Sequence, residues 1–200
     1  MDIISELNGK RILIWGYGRE GKATEHFLQR CVKPASVDIF EGKKEEIDED
    51  DYDFIIKSPG IVMNEENPKY TSETELFLQQ FRDQVIGITG TKGKSTTSAM
   101  LYTVLKACSS RPVLLLGNIG QPCLDYFEEV TEDTIIVYEM SCHQLAHTNV
   151  SPHIAIFLNL YEEHLDYYGT VEKYFEAKSH IAAYQKSGDY YIPNIRMDEQ

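Results

Sequence analysis

The stretch Val85-Ile86-Gly87-Ile88-Thr89-Gly90-Thr91-Lys92-Gly93-Lys94-Ser95-Thr96 decides the fold of this 200-residue chain. Its apolar first half predicts a buried strand, which leads into a glycine-rich turn and a Lys-Ser pair that opens a helix. Glycines let backbone N–H groups surround phosphate oxygens, and a helix N-terminus adds partial positive charge. The stretch therefore predicts a phosphate-binding loop, although the strict P-loop spacing would place a glycine at Ile88.

Two side chains of this loop suit phosphate chemistry. Lys94 can reach the terminal phosphates of a nucleotide, and the Ser95 hydroxyl can ligate Mg²⁺. An ordinary strand–helix turn with a solvated lysine is the alternative, and the concentration of lysines and glycines disfavours it. The predicted phosphate-binding set is Gly90, Thr91, Lys92, Gly93, Lys94, Ser95 and Thr96.

The composition fits a soluble globular protein and argues against several classes of partner. The net charge of −13, from 19 basic and 32 acidic residues, argues against nucleic acid or an anionic membrane. No apolar run approaches the length of a membrane span, and residues 1–6 do not form a signal peptide, so we expect a cytoplasmic protein. The four cysteines form no CxxC pair and are expected to be reduced, mostly buried thiols.

Apolar runs alternate with helix-like stretches, which predicts an α/β fold with parallel sheets. Ser72 and Glu75 have the spacing of a capping box at the start of the second predicted helix. The predicted strands are Arg11–Trp15, Val37–Glu41, Asp53–Lys57, Val85–Thr89, Val113–Leu116, Thr134–Glu139, Ile154–Asn159 and Tyr190–Ile192. The predicted helices cover about 21–31, 73–82, 95–107, 121–128 and 171–186.

A domain boundary is expected between residues 82 and 85, which divides the chain into domains 1–84 and 85–200. The first domain carries Gly16-Tyr17-Gly18-Arg19-Glu20-Gly21 directly after a strand, and Glu41 follows twenty residues past Gly21. This spacing predicts a pyrophosphate at a helix N-terminus and a sugar or base near Glu41. NAD fits this pattern, and so does any nucleotide diphosphate. Close strand–helix packing without a ligand is a further alternative.

Polar residues follow two strands of the second domain. Glu139 ends one strand, and His164 comes shortly after another. Because ligands bind beyond the carboxyl ends of parallel strands, both side chains are candidate Mg²⁺ ligands near the phosphate loop. A surface carboxylate and a packed histidine are the alternatives. Asn118 and Ser58-Pro59-Gly60-Ile61 also follow strands, where they can serve simply as turn formers.

Lys178 stands out on the predicted helix 171–186. It falls on a stripe formed by Val171, Tyr174, Phe175, Ile181 and Ala182. A lysine that faces inward needs an anionic partner or a changed charge. The alternative is that its long side chain reaches the surface.

Together these segments resemble the Mur ligase family over nearly the whole chain. Within that family, the glycine pattern of the first domain favours the branch that adds D-glutamate. The motifs that carry the resemblance are Gly16–Gly21, Ser58–Ile61, Glu75–Phe77, Thr89–Thr96, Gly117–Gly120, Glu139–Ser141, Gln144-Leu145, Glu163–Asp166 and Ala177-Lys178.

The resemblance implies a Rossmann-like domain that holds a UDP-sugar substrate, followed by a P-loop-type parallel-sheet domain that binds ATP and Mg²⁺. Such ligases of peptidoglycan precursor synthesis phosphorylate a substrate carboxylate, and the amine of an amino acid attacks the acyl phosphate. The implied catalytic residues are Lys94, His164 and Lys178, and the implied metal ligands are Ser95, Glu139, His164 and Lys178, the last if carbamoylated. The implied substrate-binding residues are Gly16, Tyr17, Gly18, Arg19, Glu41, Ser58, Gly60, Asn118, Ser141 and Gln144.

The sequence departs from the family pattern at two motif positions. Lys92 stands where asparagine is usual, and Cys142-His143 replaces a Ser-Phe type pair. The resemblance implies further strands of the second domain and a C-terminal domain beyond Gln200, so we expect no turnover by these 200 residues alone. An incomplete sheet would leave the edges of its outer strands uncovered, so we expect self-association.

Two other classes of function are weighed against a ligase. The first is a non-catalytic module that binds a nucleotide or UDP-sugar and acts with a partner. The second is an NAD(P)-dependent oxidoreductase, which Gly16–Gly21 and Glu41 support but which leaves the phosphate loop and Lys178 unexplained.

Overall fold

A computed structural model describes residues 2–62, 67–163 and 165–194 of the chain. They form two parallel sheets, each flanked by helices, so the predicted α/β class is confirmed. The first sheet has the strand order β2-β1-β3-β4 and the second the order β6-β7-β5-β8-β9.

The first sheet contains β1 (Arg11–Trp15), β2 (Ser36–Phe40), β3 (Phe54–Lys57) and β4 (Tyr70–Thr71). Its helices are α1 (Ile3–Leu7), α2 (Arg19–Cys31) and α3 (Glu73–Phe81). Strand β1 lies in the middle because four of its five residues are buried and apolar. Helix α2 begins directly after the Gly16–Gly18 turn, so its N-terminus lies at the carboxyl edge of the sheet.

The second sheet contains β5 (Val85–Thr89), β6 (Val113–Gly117), β7 (Ile135–Glu139), β8 (Ile154–Phe157) and β9 (Tyr190–Pro193). Its helices are α4 (Lys94–Cys108), α5 (Cys142–Leu145), α6 (Leu165–Tyr168) and α7 (Val171–Ala183), with a 3₁₀ helix over Leu124–Glu129. Strand β5 is central and pairs with β7 and β8. The ends of these three strands therefore meet at one edge.

Helix α3 joins the two sheets in one hydrophobic core. Phe77 on α3 is fully buried, and its ring contacts the ring of Tyr138 on β7 at 5.9 Å. The Tyr138 hydroxyl also lies 3.0 Å from the Thr74 hydroxyl. This packing brings the carboxyl edge of the first sheet close to loops of the second.

Several local predictions are corrected. The predicted helix 121–128 is a 3₁₀ helix, and the short elements α1, α5, α6 and β4 were not predicted. Ser72 caps α3 by accepting from the Glu75 N–H, but the Glu75 carboxylate accepts from Thr71 and Asn149, so the predicted capping box is incomplete. Among the free thiols, Cys123 and Cys142 are buried, whereas Cys31 is half-buried and Cys108 exposed. Within the described residues, every helix is too short or too polar to cross a membrane.

Candidate functional site

The phosphate loop lies between β5 and α4, where the sequence predicts it. Gly90 has φ +149° and Gly93 has φ +84°, and both values are backbone conformations that favour glycine. Gly93 is the N-cap of α4 and offers no side chain to the first-turn N–H groups. Those groups have no intrahelical partner, so the loop presents donors suited to an anion.

Two lysines converge on one carbonyl oxygen of this loop. Lys94 Nζ donates to Gly90 O at 2.9 Å and to Thr91 O at 3.0 Å. Lys178 Nζ, from α7, donates to the same Gly90 O at 2.9 Å. The loop therefore carries two adjacent positive charges, which a polyphosphate would neutralise.

Lys178 faces inward, on the side of α7 that the sequence pattern indicates. It is 1% exposed, and its ammonium lies 4.9 Å from the centre of the Tyr174 ring. Burial, with a smaller contribution from the positive charge of Lys94, lowers the pKa of Lys178 to about 8. Phe175, which was predicted on the same buried stripe, is 44% exposed, so the buried face of α7 is narrower than predicted.

Asn159 holds the loop in place, a role that the sequence analysis missed. Its Oδ1 accepts from Lys92 N at 2.9 Å, and its Nδ2 donates to Lys92 O at 2.9 Å. Its backbone carbonyl accepts from Thr91 N at 3.0 Å. The signal was present, since Asn159 follows a strand that pairs with β5, and a polar residue there can reach the neighbouring loop.

Glu139 ends β7 beside the phosphate loop and is fully buried. Its Oε1 accepts from Asn118 Nδ2 at 2.8 Å, while its Oε2 is buried and accepts no hydrogen bond within the described residues. Glu139 pairs with Ile88, two residues before Gly90. A buried carboxylate oxygen without a donor is suited to a cation.

The other predicted metal ligands are only partly placed. Ser95 is exposed in the first turn of α4. His164 lies outside the described residues. Among the His, Cys, Asp and Glu side chains that the structure describes, no group of three is positioned to hold a metal ion.

A pocket of about 330 Å³ lies between the carboxyl edges of the two sheets. Ser58 helps to shape it, because its hydroxyl donates to Gly16 O at 2.9 Å and ties β3 to the glycine turn. Six residues predicted to bind substrate line the pocket: Gly18, Arg19, Ser58, Gly60, Asn118 and Gln144.

The remaining predicted substrate residues lie outside this lining. Glu41 is exposed and follows the end of β2. The Tyr17 hydroxyl donates to Glu25 Oε2 at 2.5 Å. Ser141 caps α5 in a complete capping box with Gln144. Ser141 thus orients Gln144, whose Nε2 donates to Glu20 Oε1 at 2.8 Å.

Three charged residues next to this pocket were not singled out from the sequence: Glu73 and Lys57, which are buried, and Glu20, which is half-buried. Glu20 and Glu73 line it, and Lys57 lies at the end of β3. Burial lowers the pKa of Lys57 to about 8, an effect that the Glu20 carboxylate opposes. Residue type alone does not reveal buried charge, because these side chains come from three separate elements.

These features define a class of protein: a two-sheet α/β protein with a glycine-rich strand–helix loop on one sheet and a glycine turn on the other. A family model described as the Mur ligase middle domain matches residues 88–200. The chain belongs to the Mur ligase family, so the resemblance stated from the motifs is confirmed.

Curated relatives agree with this membership. The chain is 36% identical over 175 residues to UDP-N-acetylmuramoylalanine--D-glutamate ligase of Clostridium kluyveri, covering 84% of this chain and 38% of the relative. It is 32% identical over 229 residues to the protein of the same name from Streptococcus pyogenes, covering 99% of this chain and 50% of the relative. The chain thus spans half or less of the length of these relatives.

Solved structures share the fold. UDP-N-acetylmuramate:L-alanyl-gamma-D-glutamyl-meso-diaminopimelate ligase from Neisseria meningitides aligns with a TM-score of 0.58 at 17% identity, over 94% of this chain and 72% of that one. MurF ligase from Thermotoga maritima, solved in complex with ADP, aligns with a TM-score of 0.52 at 18% identity. The alignment covers 98% of this chain and 45% of that one.

Proposed function

We propose that this chain forms the ATP- and substrate-binding part of a ligase of peptidoglycan precursor synthesis. The enzyme would add D-glutamate to UDP-N-acetylmuramoyl-L-alanine, the activity named for relatives at 32–36% identity. The observation that carries the proposal is that Lys94 and Lys178 both donate to Gly90 O, in a loop beside the buried carboxylate of Glu139. A cytoplasmic location is part of the proposal, because ATP and nucleotide-linked sugars are cytoplasmic metabolites.

The proposed reaction has two steps. A carboxylate oxygen of the UDP-linked substrate attacks the γ-phosphorus of ATP, and ADP leaves to give an acyl phosphate. The amine of D-glutamate then attacks the acyl carbon, and inorganic phosphate leaves as the amide forms. In the first step, Lys94 and the N-terminus of α4 offset the negative charge that repels the attacking carboxylate.

Magnesium is part of this proposal because the residues fit it. Glu139 has a buried oxygen that accepts no hydrogen bond in the described part of the chain, and Ser95 stands in the first turn of α4. These two groups would hold the ion, which supplies positive charge next to the phosphates when bound. The roles predicted for His164 as a metal ligand and catalytic residue remain predictions.

Carbamoylation of Lys178 also belongs to the proposal. Its amine would add to CO₂ and lose a proton, which gives an anionic carbamate. The lowered pKa of Lys178, about 8, increases the fraction of reactive neutral amine at neutral pH. Buried next to Lys94, a carbamate would replace one of two adjacent positive charges with a negative one.

The UDP-linked substrate is assigned to the pocket between the sheets. Its pyrophosphate would approach Gly18 and Arg19 at the N-terminus of α2, where the N-cap Gly18 makes no side-chain hydrogen bond to the first-turn N–H groups. Asn118 bridges this pocket to the phosphate loop, because it lines the pocket and donates to Glu139. The substrate carboxylate would then lie toward Glu139 and the γ-phosphate.

Ligand titration tests the proposal. We expect ATP with Mg²⁺ and UDP-N-acetylmuramoyl-L-alanine each to change the fluorescence of Trp15, the single tryptophan, which precedes Gly16. Lys94→Gln should weaken ATP binding at least tenfold, because it removes a charge-assisted contact to phosphate. Lys10→Gln, an exposed lysine far along the chain from the loop, is the control. Binding of NADH without binding of ATP or the UDP-linked compound would contradict the proposal.

A further inference from the structure

Two carboxyl groups face the pocket between the sheets from different helices. Glu20 is the second residue of α2, and Glu73 is the first residue of α3. Each contacts a short helix beside the second sheet: Gln144 Nε2 of α5 donates to Glu20 Oε1 at 2.8 Å, and Leu124 N of the 3₁₀ helix donates to Glu73 Oε1 at 2.9 Å. The pair therefore lies where the two halves of the molecule meet.

The hydrogen bonds and charges around these carboxyl groups are too few to stabilise both groups in their ionised form. Glu20 Oε2 is buried and accepts no hydrogen bond from the described residues, and Glu73 is 2% exposed. Within the described chain, neither group has a cationic side-chain nitrogen within 4.0 Å. Lys57 contributes positive potential at Glu20, but its ammonium donates to Ile61 O at 3.1 Å.

The other charged and titratable groups nearby do not supply the missing stabilisation for two carboxylates. Arg19 stabilises the charge of Glu20, yet Arg19 Nη2 donates to Gly120 O at 2.9 Å and is exposed. The groups that act on Glu73 are neutral or negative: Glu20, Cys123, Asp125 and Tyr138. Burial raises the pKa of both carboxyl groups, and the charge of Glu20 raises the pKa of Glu73 further. Two carboxyl groups in such a site favour retention of one proton.

We propose that Glu20 and Glu73 form a proton-sharing carboxyl pair that donates a hydrogen bond to an anionic group of the ligand in this pocket, so that the ligand binds together with a proton. The inference rests on the proposed function, which puts a pyrophosphate at the N-terminus of α2. An ionised pair would repel that pyrophosphate, whereas a protonated carboxyl donates to it. Where the free pair has lost its proton, binding returns one from the buffer, and where the free pair has kept it, that proton stays; no covalent bond changes.

The pH dependence of ligand affinity tests this inference. The probe is UDP-N-acetylmuramoyl-L-alanine, whose doubly esterified pyrophosphate and carboxylate do not titrate between about pH 6 and 8.5. By calorimetry with the 200-residue chain, we expect Kd to rise severalfold toward the alkaline end of this range, because the free pair loses its proton as pH rises. Titrations at pH 7.5 in buffers of different ionisation enthalpy should show net proton uptake.

Matched variants separate the carboxyl pair from other titrating groups. Glu20→Gln keeps an acceptor for Gln144 and adds a permanent donor, so Kd should change less than about threefold across the pH range. Glu132→Gln changes an exposed carboxylate and should keep the wild-type profile. If Glu20→Gln does not fold, Glu73→Gln removes the other carboxyl group of the pair and should flatten the pH profile in the same way, whereas titration of Lys57, with its pKa of about 8, would persist in either variant.

Three outcomes would overturn the inference while leaving the proposed function intact. They are a wild-type Kd that is constant or falls with rising pH, binding without proton uptake, and an unchanged pH profile in Glu20→Gln. A Kd that falls with rising pH would mean that ionised carboxylates accept hydrogen bonds from the ligand. Absence of binding at every pH, in a chain that binds ATP, would contradict the proposed use of the pocket and the inference with it.

Discussion

Single side chains decide how the phosphate loop is held before any ligand arrives. Asn159 makes both a donor and an acceptor contact to the backbone of Lys92, and Lys178 donates to Gly90 O. These contacts come from the residues that follow β8 and from α7, so the loop is braced by distant parts of the chain. A braced loop loses less conformational entropy when it binds phosphate.

Glu73→Gln tests the cost of burying a carboxyl group. The pKa of Glu73 is raised in the folded state, so its contribution is neutral below the unfolded pKa near 4.5 and destabilising as pH rises above it. Glutamine keeps the acceptor for Leu124 N and does not titrate. The variant should therefore gain stability over wild type as pH rises from 4.5 to 8, by a few °C in Tm.

Thermal unfolding at several pH values measures this difference. Glu132→Gln, at an exposed position, should give a Tm difference that does not depend on pH. A Glu73→Gln variant less stable than wild type by the same amount at every pH would contradict the expected cost of ionisation.

At the level of helices and strands, close approach of the backbone determines where glycine is required. A Cβ on Gly21 would lie 2.2 Å from Gly16 O, a backbone atom that cannot move without shifting β1 or α2. Gly21→Ala should therefore cost roughly 2–4 kcal/mol of folding free energy, measured by urea denaturation. At Gly18, with φ −75°, a Cβ would meet nothing within 4 Å, so Gly18→Ala should cost less than about 0.5 kcal/mol.

The two variants also differ in their expected effect on binding. Gly18 lines the pocket, so Gly18→Ala should weaken binding of the UDP-linked compound while the fold persists. Equal loss of stability in the two variants would show that the close packing of α2 on β1 is not what requires a glycine at position 21.

The errors in element prediction have local causes. Leu124 and Phe127, three residues apart, are the buried residues of the 3₁₀ helix, a spacing that suits three residues per turn. The Glu73 carboxylate also accepts from Leu124 N at the start of this element, which no local pattern indicates. Strand β4 has two residues and α5 has four, so neither is long enough to show a hydrophobic period.

At the level of the whole molecule, β9 forms an edge of the second sheet. Tyr190, Tyr191 and Ile192 on this strand are 61%, 46% and 50% exposed. An apolar edge strand offers unpaired backbone groups to another chain, so we expect association that increases with protein concentration. Ile192→Lys should reduce it at least severalfold, because a charge on an edge strand opposes strand pairing.

Size-exclusion chromatography with light scattering measures this association. Lys10→Gln is the control, since the exposed Lys10 directly precedes β1 of the other sheet. A wild-type chain that stays monomeric at high concentration would contradict this prediction.

The sequence by itself determined the local part of this protein: the parallel α/β class, the glycine turn at Gly16–Gly21, the phosphate loop after β5 and the inward side of α7. These features follow from the periodicity of apolar residues and from local backbone conformation, both of which depend on residues close together in the sequence. The tertiary structure alone decided which side chains meet, such as Asn159 with Lys92, Lys178 with Gly90, and Glu20 with Gln144. Such pairs are 67 to 124 residues apart, so their contacts and the burial of their charges depend on how the two sheets pack.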